Sequence, residues 1–107
     1  MVTGLQQFAV CENLNVGHGR ARFIINLQHE FSSPLETRLA APLVPASGRD
    51  RTIPQALIPI EIEGAAFLIS IAEMAAIPRN NFGRMVREAN ELRFEVLNAI
   101  DYLLGGH

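Results

Sequence analysis

The chain has a single cysteine, Cys11, and no lysine among its nine basic residues. One cysteine excludes an internal disulfide framework and fits a reducing compartment. Because Cys11 lies in an apolar stretch, we expect it to be a small buried hydrophobe. The arginines are scattered without a basic run and the net charge is -2, whereas proteins that neutralise DNA phosphates carry a dense positive patch. The composition therefore disfavours direct nucleic-acid binding.

Long apolar runs and cofactor motifs are also missing. No segment approaches the about 18 apolar residues of a membrane span, and the first residues lack the basic and then hydrophobic pattern of a secretion signal. We therefore expect a cytoplasmic protein that makes no contact with a membrane. His18, His29 and His107 lack the spacing of a zinc site, and Gly17-His18-Gly19-Arg20 lacks the other residues of a phosphate loop. We expect no metal, no cofactor and no catalytic residue.

What the chain does contain is apolar sequence sufficient for one core. Apolar residues make up 49% of the chain and charged residues only 19%, which excludes a disordered chain. A length of 107 residues suits one core of ordinary size but not two. We therefore expect a single domain over residues 1–107, without internal repeats.

Apolar runs with turn residues between them predict five β-strands, over residues 8–11, 20–28, 37–44, 56–63 and 66–71. The first two strands would form a hairpin, because Gly17-His18-Gly19 supplies turn chemistry between them. The last two would form a second hairpin around Gly64, since Ile58, Ile60 and Ile62 alternate with polar residues or proline. Residues 45–54 form the longest polar insert and predict a surface loop.

The last third of the chain predicts one long helix that ends almost at the final residue. Asn80 or Asn81 would be its N-cap after Ile77-Pro78, and Gly105 and Gly106 would end it. Its apolar stripe follows the three-and-four spacing of a helix and consists of Met85, Ala89, Leu92, Val96, Ile100 and Leu103. Such a stripe needs a sheet to pack on. The predicted fold is therefore mainly β with one C-terminal helix, an antiparallel barrel or curled sheet.

Motifs over nearly the full length of the chain resemble those of one protein family. They are Gln7-Phe8-x-Val10, Asn26-x-Gln28, Thr37-Arg38-x-x-x-Pro42-Leu43, Met74-Ala75-x-Ile77-Pro78 and Asn98-Ala99-Ile100, with Arg22, Pro59, Gly64, Phe67 and Gly83 between them. Each motif is weak alone, but in this order and spacing the chain resembles the CcdB family, the toxins of plasmid-maintenance toxin-antitoxin pairs. The resemblance implies an SH3-like β-barrel, the fold of CcdB-like and Kid-like toxins, in a two-fold homodimer.

The resemblance also implies partners. CcdB-family members bind the A subunit of DNA gyrase and trap the complex in which DNA is cleaved, so they catalyse no reaction themselves. Trapping requires only that the toxin bind this state better than the others. A partly disordered antitoxin of the CcdA type binds the toxin and removes it from gyrase, and toxin and antitoxin together repress their own operon.

The gyrase-binding surface implied by the resemblance comprises Gln7, Phe31, Asp101, Leu104, Gly105, Gly106 and His107. The family ends its helix on Trp-Gly-Ile, and the tryptophan stacks on gyrase, whereas this chain ends on Gly105-Gly106-His107. Loss of such a buried aromatic anchor costs about 2 to 4 kcal/mol. Asp101 also replaces a family asparagine, and Phe31-Ser32 replaces an isoleucine pair. The fold is therefore carried over better than the poisoning surface.

Alternative interpretations stay open for these residues. Gly105-Gly106-His107 is either a target-binding tip, in which the His107 ring replaces tryptophan, or a helix C-cap with a frayed end. Phe31 is either an exposed anchor or a core residue. Phe8 is more typical of a core, whereas Gln7 fits either role.

Two alternative functions also remain. The first is a CcdB-like protein that has lost or redirected its poison and acts with its antitoxin as a corepressor. The second is an endoribonuclease toxin, because one fold hosts several functions. The ribonuclease family's Gly-Asp start, Gly-x-Glu and Arg-Pro elements are not found here, and no acid and base group together.

Overall fold

The computed structural model describes residues 5–15, 17, 20–29, 36–47 and 54–105. Seven strands in this part of the chain form one antiparallel sheet: β1 Ala9–Asn13, β2 Phe23–Asn26, β3 Thr37–Pro45, β4 Leu57–Ile62, β5 Ala65–Ser70, β6 Ala75–Pro78 and β7 Phe82–Glu88. The strand order is β4-β5-β3-β2-β1-β7, and β6 also pairs with β3. The single α-helix, α1, spans Arg93–Gly105.

The sheet curls around β3, its longest strand. One edge of β3 pairs with β2 through residues 40–43. Its other edge pairs with β5 through residues 43–45 and with β6 through residues 37–40. A 3-10 turn at Ile71–Glu73 separates β5 from β6, so the two strands follow one another along the same edge. The result is a curled half-barrel, which confirms the predicted mainly β class with one C-terminal helix.

Both predicted hairpins are confirmed. β1 pairs with β2, and β4 pairs with β5 over their full length. The connection between β4 and β5 is the dipeptide Glu63-Gly64, with φ angles of 53° and 84°. Two-residue hairpins favour turns with positive φ because these match the twist of the strands, and glycine adopts such angles without strain. Glu63 is the less usual member of this turn.

The core lies between the concave face of the sheet and α1. Ile58, Ile60 and Ile62 point into it from β4, as their alternation predicts, and Val96 and Ala99 point into it from α1. Phe8 is buried in this core, in agreement with its sequence-based assignment. Packing of this kind stabilises the folded state by about 25 cal/mol for each Å² of apolar surface that it removes from water.

Cys11 is fully buried in β1, as expected for a lone cysteine in an apolar strand. Burial, reinforced by the neighbouring Glu12 carboxylate, raises the pKa of the Cys11 thiol to about 11. Cys11 is therefore a neutral hydrophobe at physiological pH.

The predicted start of the helix is wrong. The segment Arg79–Asn81 forms a 3-10 turn and Phe82–Glu88 forms β7, so neither Asn80 nor Asn81 caps a helix. The physical reason is the open edge of β1, which pairs with β7 through Ala9 opposite Glu88 and Cys11 opposite Met85. Met85 is accordingly 49% exposed instead of lying on a buried stripe. Ala89 and Leu92 pack on the core as the stripe predicts, but they precede the α-helix, with Leu92 in a 3-10 turn at Asn90–Leu92. Within α1 the predicted stripe is right, because Val96, Ile100 and Leu103 all pack on the core.

No helix in the described part of the chain has the length and apolar character needed to cross a membrane.

Candidate partner-binding surface

Helix α1 carries a second apolar stripe that faces away from the core. Residues in an α-helix turn by about 100° each, so positions three and four apart share a face. Phe94, Leu97, Asp101 and Leu104 follow this spacing, and we call them the outward stripe. Phe94 is 76% exposed, Leu97 41% and Leu104 78%. Three large apolar side chains on one exposed helix face are typical of a surface that contacts another molecule.

The C-terminal end of α1 is the predicted tip of this surface. Asp101, Leu104 and Gly105 are all exposed, and Gly105 is the last helical residue. Gly106 and His107 lie outside the described residues, as does Phe31. The helix therefore brings Asp101 and Leu104 onto one exposed face, next to Gly105.

Gln7 occupies a different place, beside the first residue of α1. Its side-chain oxygen Oε1 accepts a hydrogen bond from Arg93 Nη1 at 3.2 Å, and its Nε2 donates to the Leu27 carbonyl oxygen at 3.0 Å. Arg93 and Leu104 are 11 residues apart, which corresponds to roughly 17 Å along a helix. Within a single chain, Gln7 therefore does not lie at the tip of α1.

The strand residue Asn26 holds the Gln7 segment in position. Asn26 is fully buried, and its Nδ2 donates to the Gln6 carbonyl oxygen at 2.8 Å and to that of Gln28 at 3.1 Å. The Asn26 carbonyl oxygen accepts from the Phe8 N–H at 2.6 Å. The Phe8 backbone has a φ of 68°, a left-handed conformation that is strained for a bulky residue. These bonds hold the kink that turns the Gln7 side chain toward α1.

The Asn26-x-Gln28 motif therefore has a structural role. Gln28 Oε1 accepts from the Leu39 N–H at 2.8 Å, so its side chain joins the segment after β2 to β3. Together with the bonds of Asn26, this contact ties three segments of the chain to one another.

A groove lined mainly by β3 and by the segment before β2 is the second candidate site. Two adjoining cavities of about 530 and 190 Å³ share Arg20, Ala21, Pro42 and Glu73. Their other lining residues are mostly apolar: Leu43, Val44, Pro45 and Phe67 with Arg22 in the larger cavity, and Ile24, Ala40, Ala41 and Ile77 with Asn13 in the smaller. We call this the arginine groove.

The wall of the arginine groove is held by Asn13 and by a ring contact. Asn13 Nδ2 donates to the Ala21 carbonyl oxygen at 2.8 Å, which fixes the segment that carries Arg20 and Arg22. The Arg22 guanidinium lies 4.9 Å from the centre of the Phe23 ring, and Phe23 packs edge-on against Phe67. Glu73 accepts from the Ser70 hydroxyl at 2.9 Å. The groove thus combines an apolar floor with two cations and one carboxylate on its rim.

Sequence reasoning missed Arg93, Phe94 and Leu97. The signal for Phe94 and Leu97 was present, because they share the helical face of Asp101 and Leu104. Arg93 had no such signal, since its partner Gln7 lies 86 positions away in the chain.

A curled, half-barrel β-sheet with one C-terminal helix places the protein in the class of small β-barrel-like proteins. The chain belongs to the CcdB family: the family model described as CcdB protein matches residues 7–106. The family consists of toxins from toxin-antitoxin systems. No curated protein matches the chain.

Proposed function

We propose that the protein is a toxin that binds the A subunit of DNA gyrase in the cytoplasm and traps the complex in which DNA is cleaved. The observation that carries the proposal is the CcdB family match over residues 7–106. It catalyses no reaction and acts by binding one state of gyrase more tightly than the others. A differential affinity of about 5.5 kcal/mol suffices to shift a two-state equilibrium from 1:99 to 99:1.

The outward stripe and the tip of α1 are the proposed contact surface for gyrase. Phe94, Leu97 and Leu104 supply exposed apolar area, and Asp101 supplies a polar contact among them. The tip holds Gly105 where the family has tryptophan. The apolar contribution to gyrase binding is therefore proposed to come from the outward stripe rather than from the end of the helix. Gln7, Phe31, Gly106 and His107 remain proposed contacts on the strength of the resemblance.

The protein is proposed to act as a homodimer. The edge strands of the described sheet, β4, β6 and β7, discourage strand-to-strand pairing: Pro59 within β4 lacks an N–H group, β6 has only 4 residues and ends at Pro78, and Arg84, Arg87 and Glu88 lie along β7. A dimer would therefore form through faces of the protein, with both tips on one side. Light scattering after size-exclusion chromatography should give twice the mass of one chain, and a single-chain mass would contradict this.

The arginine groove is the proposed site for a segment of a CcdA-like antitoxin. A disordered antitoxin segment gains affinity by burying apolar side chains, and acidic side chains would pair with Arg20 and Arg22. The paired change Arg20→Gln and Arg22→Gln should weaken antitoxin binding about tenfold or more and reduce its salt dependence. Arg84→Gln, which changes an arginine outside the groove, is the matched control and should bind normally.

The gyrase proposal is tested by calorimetry with the purified A subunit and by a DNA-cleavage assay with whole gyrase. Phe94→Ala and Leu104→Ala should each weaken binding about tenfold or more, as loss of an apolar anchor does. Leu14→Ala removes a leucine outside α1 that is 60% exposed and should leave binding unchanged. Gly105→Trp should raise affinity about 30-fold, because it restores an aromatic anchor. If the unaltered protein neither binds the A subunit nor causes cleaved DNA to accumulate, the proposal is wrong.

A second candidate function is that of an antitoxin-binding corepressor without poisoning activity. It is favoured by Gly105-Gly106-His107 in place of the family's Trp-Gly-Ile. In that case the complex with the antitoxin would bind operator DNA, while the purified toxin would leave gyrase unaffected. A mobility-shift assay with the complex, run beside the cleavage assay, separates the two functions.

A further inference from the structure

The start of α1 forms a polar cleft that neither the tip nor the arginine groove includes. The cleft has a volume of about 270 Å³ and is lined by Gln6, Gln7, His29 and Asn90. Among the described residues, all four lining side chains are polar and none is acidic. The side-chain amides of Gln6 and Asn90 carry N–H donors as well as an acceptor oxygen, and such donors suit an oxygen-rich anionic group.

Arg93 does not line this cleft but lies beside it, bonded to the lining residue Gln7, and two contacts hold its side chain. Its Nη1 donates to Gln7 Oε1 at 3.2 Å, and its guanidinium lies 5.7 Å from the centre of the Phe8 ring. A cation over an aromatic face is stabilised by the ring quadrupole. Phe8 is itself buried, and its carbonyl oxygen accepts from the Ala89 N–H at 3.0 Å, just before α1 begins.

The charge of Arg93 is not neutralised within the described part of the chain. Two acidic residues, Glu91 and Glu95, lie two positions from Arg93 in the sequence; Glu91 pairs with Arg87, and no ion pair of Arg93 is formed among the described residues. Arg93 is exposed, and one of its five N–H groups is used by Gln7. The planar guanidinium therefore keeps donors free for a carboxylate in the paired, two-bond geometry.

Gln7 is occupied at both ends of its amide. Nε2 bonds the Leu27 carbonyl oxygen and Oε1 bonds Arg93, which also assigns the orientation of the amide. A side chain held in this way is suited to fixing Arg93 rather than to making the principal contact with a partner.

We propose that this cleft is a carboxylate-binding subsite for an acidic side chain of a protein partner, in which Arg93 supplies the charge and Gln7 is the positioning residue. The inference rests on the proposed function in one respect, because it requires a protein partner that covers the surface of α1. The occupant is a glutamate or aspartate side chain of that partner, because a carboxylate complements the charge of Arg93 and none of the described lining residues is acidic.

The first test needs no partner protein. Acetyl-glutamate methylamide is titrated into the protein at constant ionic strength, and the NMR signals of the Arg93 guanidinium and the Gln7 and Asn90 amides are followed. Saturating shifts are expected in the range of about 10 to 100 mM, typical of a single small contact. Acetyl-glutamine methylamide, the neutral isostere, should give none, and Arg93→Gln should abolish them. Equal shifts with the neutral compound, or no shifts at all, would overturn the proposal.

The second test uses binding to the gyrase A subunit as a function of salt. Arg93→Gln should weaken binding roughly three- to tenfold and flatten its salt dependence. Arg93→Lys should keep the salt dependence but lose part of the affinity, since lysine cannot form the two-bond contact. Gln7→Leu should lower affinity without flattening the salt dependence, whereas Arg84→Gln should change nothing. An Arg93→Gln variant that binds gyrase as tightly as the unaltered protein would overturn the subsite.

The two tests separate this inference from the gyrase proposal. If acetyl-glutamate methylamide binds but the A subunit does not, the subsite stands and the gyrase proposal fails. If the A subunit binds but the titration gives no shifts, the gyrase proposal stands and the subsite fails.

Discussion

The two ends of α1 are built differently. At its start, Arg93 contacts Gln7 and Phe8, and the preceding Ala89 N–H bonds the Phe8 carbonyl oxygen. At its end, Leu104 is 78% exposed, and the helix finishes at Gly105, which is also exposed. The first end is held by hydrogen bonds and a ring contact between residues that are distant in the chain, whereas at the second end Leu103 packs on the core and Leu104 and Gly105 stay exposed.

With the tip as the proposed contact for a partner, this difference assigns stability to one end of α1 and recognition to the other. Residues at the anchored end hold the helix on the sheet, so substitutions there change the free energy of unfolding. Residues at the tip contribute little to the folded core, so substitutions there are free to change partner binding. This separation gives a physical reason why the tip can depart from the Trp-Gly-Ile of the family while the chain keeps its fold.

The largest expected contrast is between Phe8→Ala and Leu104→Ala. Phe8→Ala should lower the free energy of unfolding by about 3 to 5 kcal/mol, because it opens a cavity and removes the ring beneath Arg93. Leu104→Ala should change it by no more than about 0.5 kcal/mol, since the side chain is exposed. Urea unfolding at one fixed protein concentration measures both, which removes any effect of association. Similar losses for the two variants would contradict the comparison.

A second contrast concerns pH. In β1, next to the anchored end, Cys11 keeps its proton to about pH 11, whereas in the unfolded chain the thiol ionises near pH 8.5. Between these values the unfolded state binds fewer protons, so the free energy of unfolding should fall with rising pH, by about 2 to 3 kcal/mol in total. Below about pH 8 this contribution should be constant.

The control for the pH contrast is Cys11→Ala, measured over the same range. The difference between the two unfolding profiles isolates the thiol, because the chain has no lysine and only one tyrosine to titrate there. Parallel profiles would show that Cys11 is not the cause. Substitution of an exposed residue at the tip, such as Leu104, should leave the pH dependence of the free energy of unfolding unchanged.

A third, smaller effect is expected in β7, the strand that leads into the anchored end. A Cβ atom at Gly83 would lie 2.8 Å from Leu14 Cδ2 and 3.2 Å from the Glu12 carbonyl oxygen. Gly83→Ala should therefore lower the free energy of unfolding by about 1 kcal/mol, since Leu14 must move away. Adding Leu14→Ala should recover most of the loss in thermal unfolding. A loss that persists in the double variant would point to the backbone contact instead.

The smallest expected effect comes from a comparison of the charged residues near the two ends of α1. Asp101 lies one turn before the end of α1, near the end where a negative charge opposes the helix dipole, and Glu95 lies in the first turn, where its charge complements the dipole. Asp101→Asn should raise the free energy of unfolding by about 0.3 to 0.5 kcal/mol, and Glu95→Gln should lower it by a similar amount. Both effects should shrink at high salt. Changes of the same sign would rule out the dipole as the cause.

Much of the fold could be predicted because its signals are local. The alternation of Ile58, Ile60 and Ile62 predicts β4, and Gly64 predicts the turn that follows. The helix could be predicted over Arg93–Gly105 because its inward stripe of Val96, Ile100 and Leu103 keeps one period. The start of the helix could not be predicted, because Met85, Ala89 and Leu92 fit a helical spacing even though Phe82–Glu88 forms a strand that pairs with β1.

The candidate surface could be predicted only in part. Asp101 and Leu104 share a face by helical spacing alone, and the structure exposes both. Gln7 was predicted from its motif, but its place beside Arg93 depends on a contact across 86 positions of the chain. The arginine groove likewise joins residues from the segment before β2, from β3 and from Glu73, which no local pattern connects.

The sequence by itself determined the β-rich class, the hairpins and the inward face of α1, because these follow from the spacing of apolar residues and from turn chemistry. Only the tertiary structure decided that residues 82–88 form a strand, that Gln7 holds Arg93 and that the second apolar stripe of α1 stays exposed. Each of these depends on which segment covers an open edge or face, and that competition is settled by packing over the whole chain rather than by any single segment.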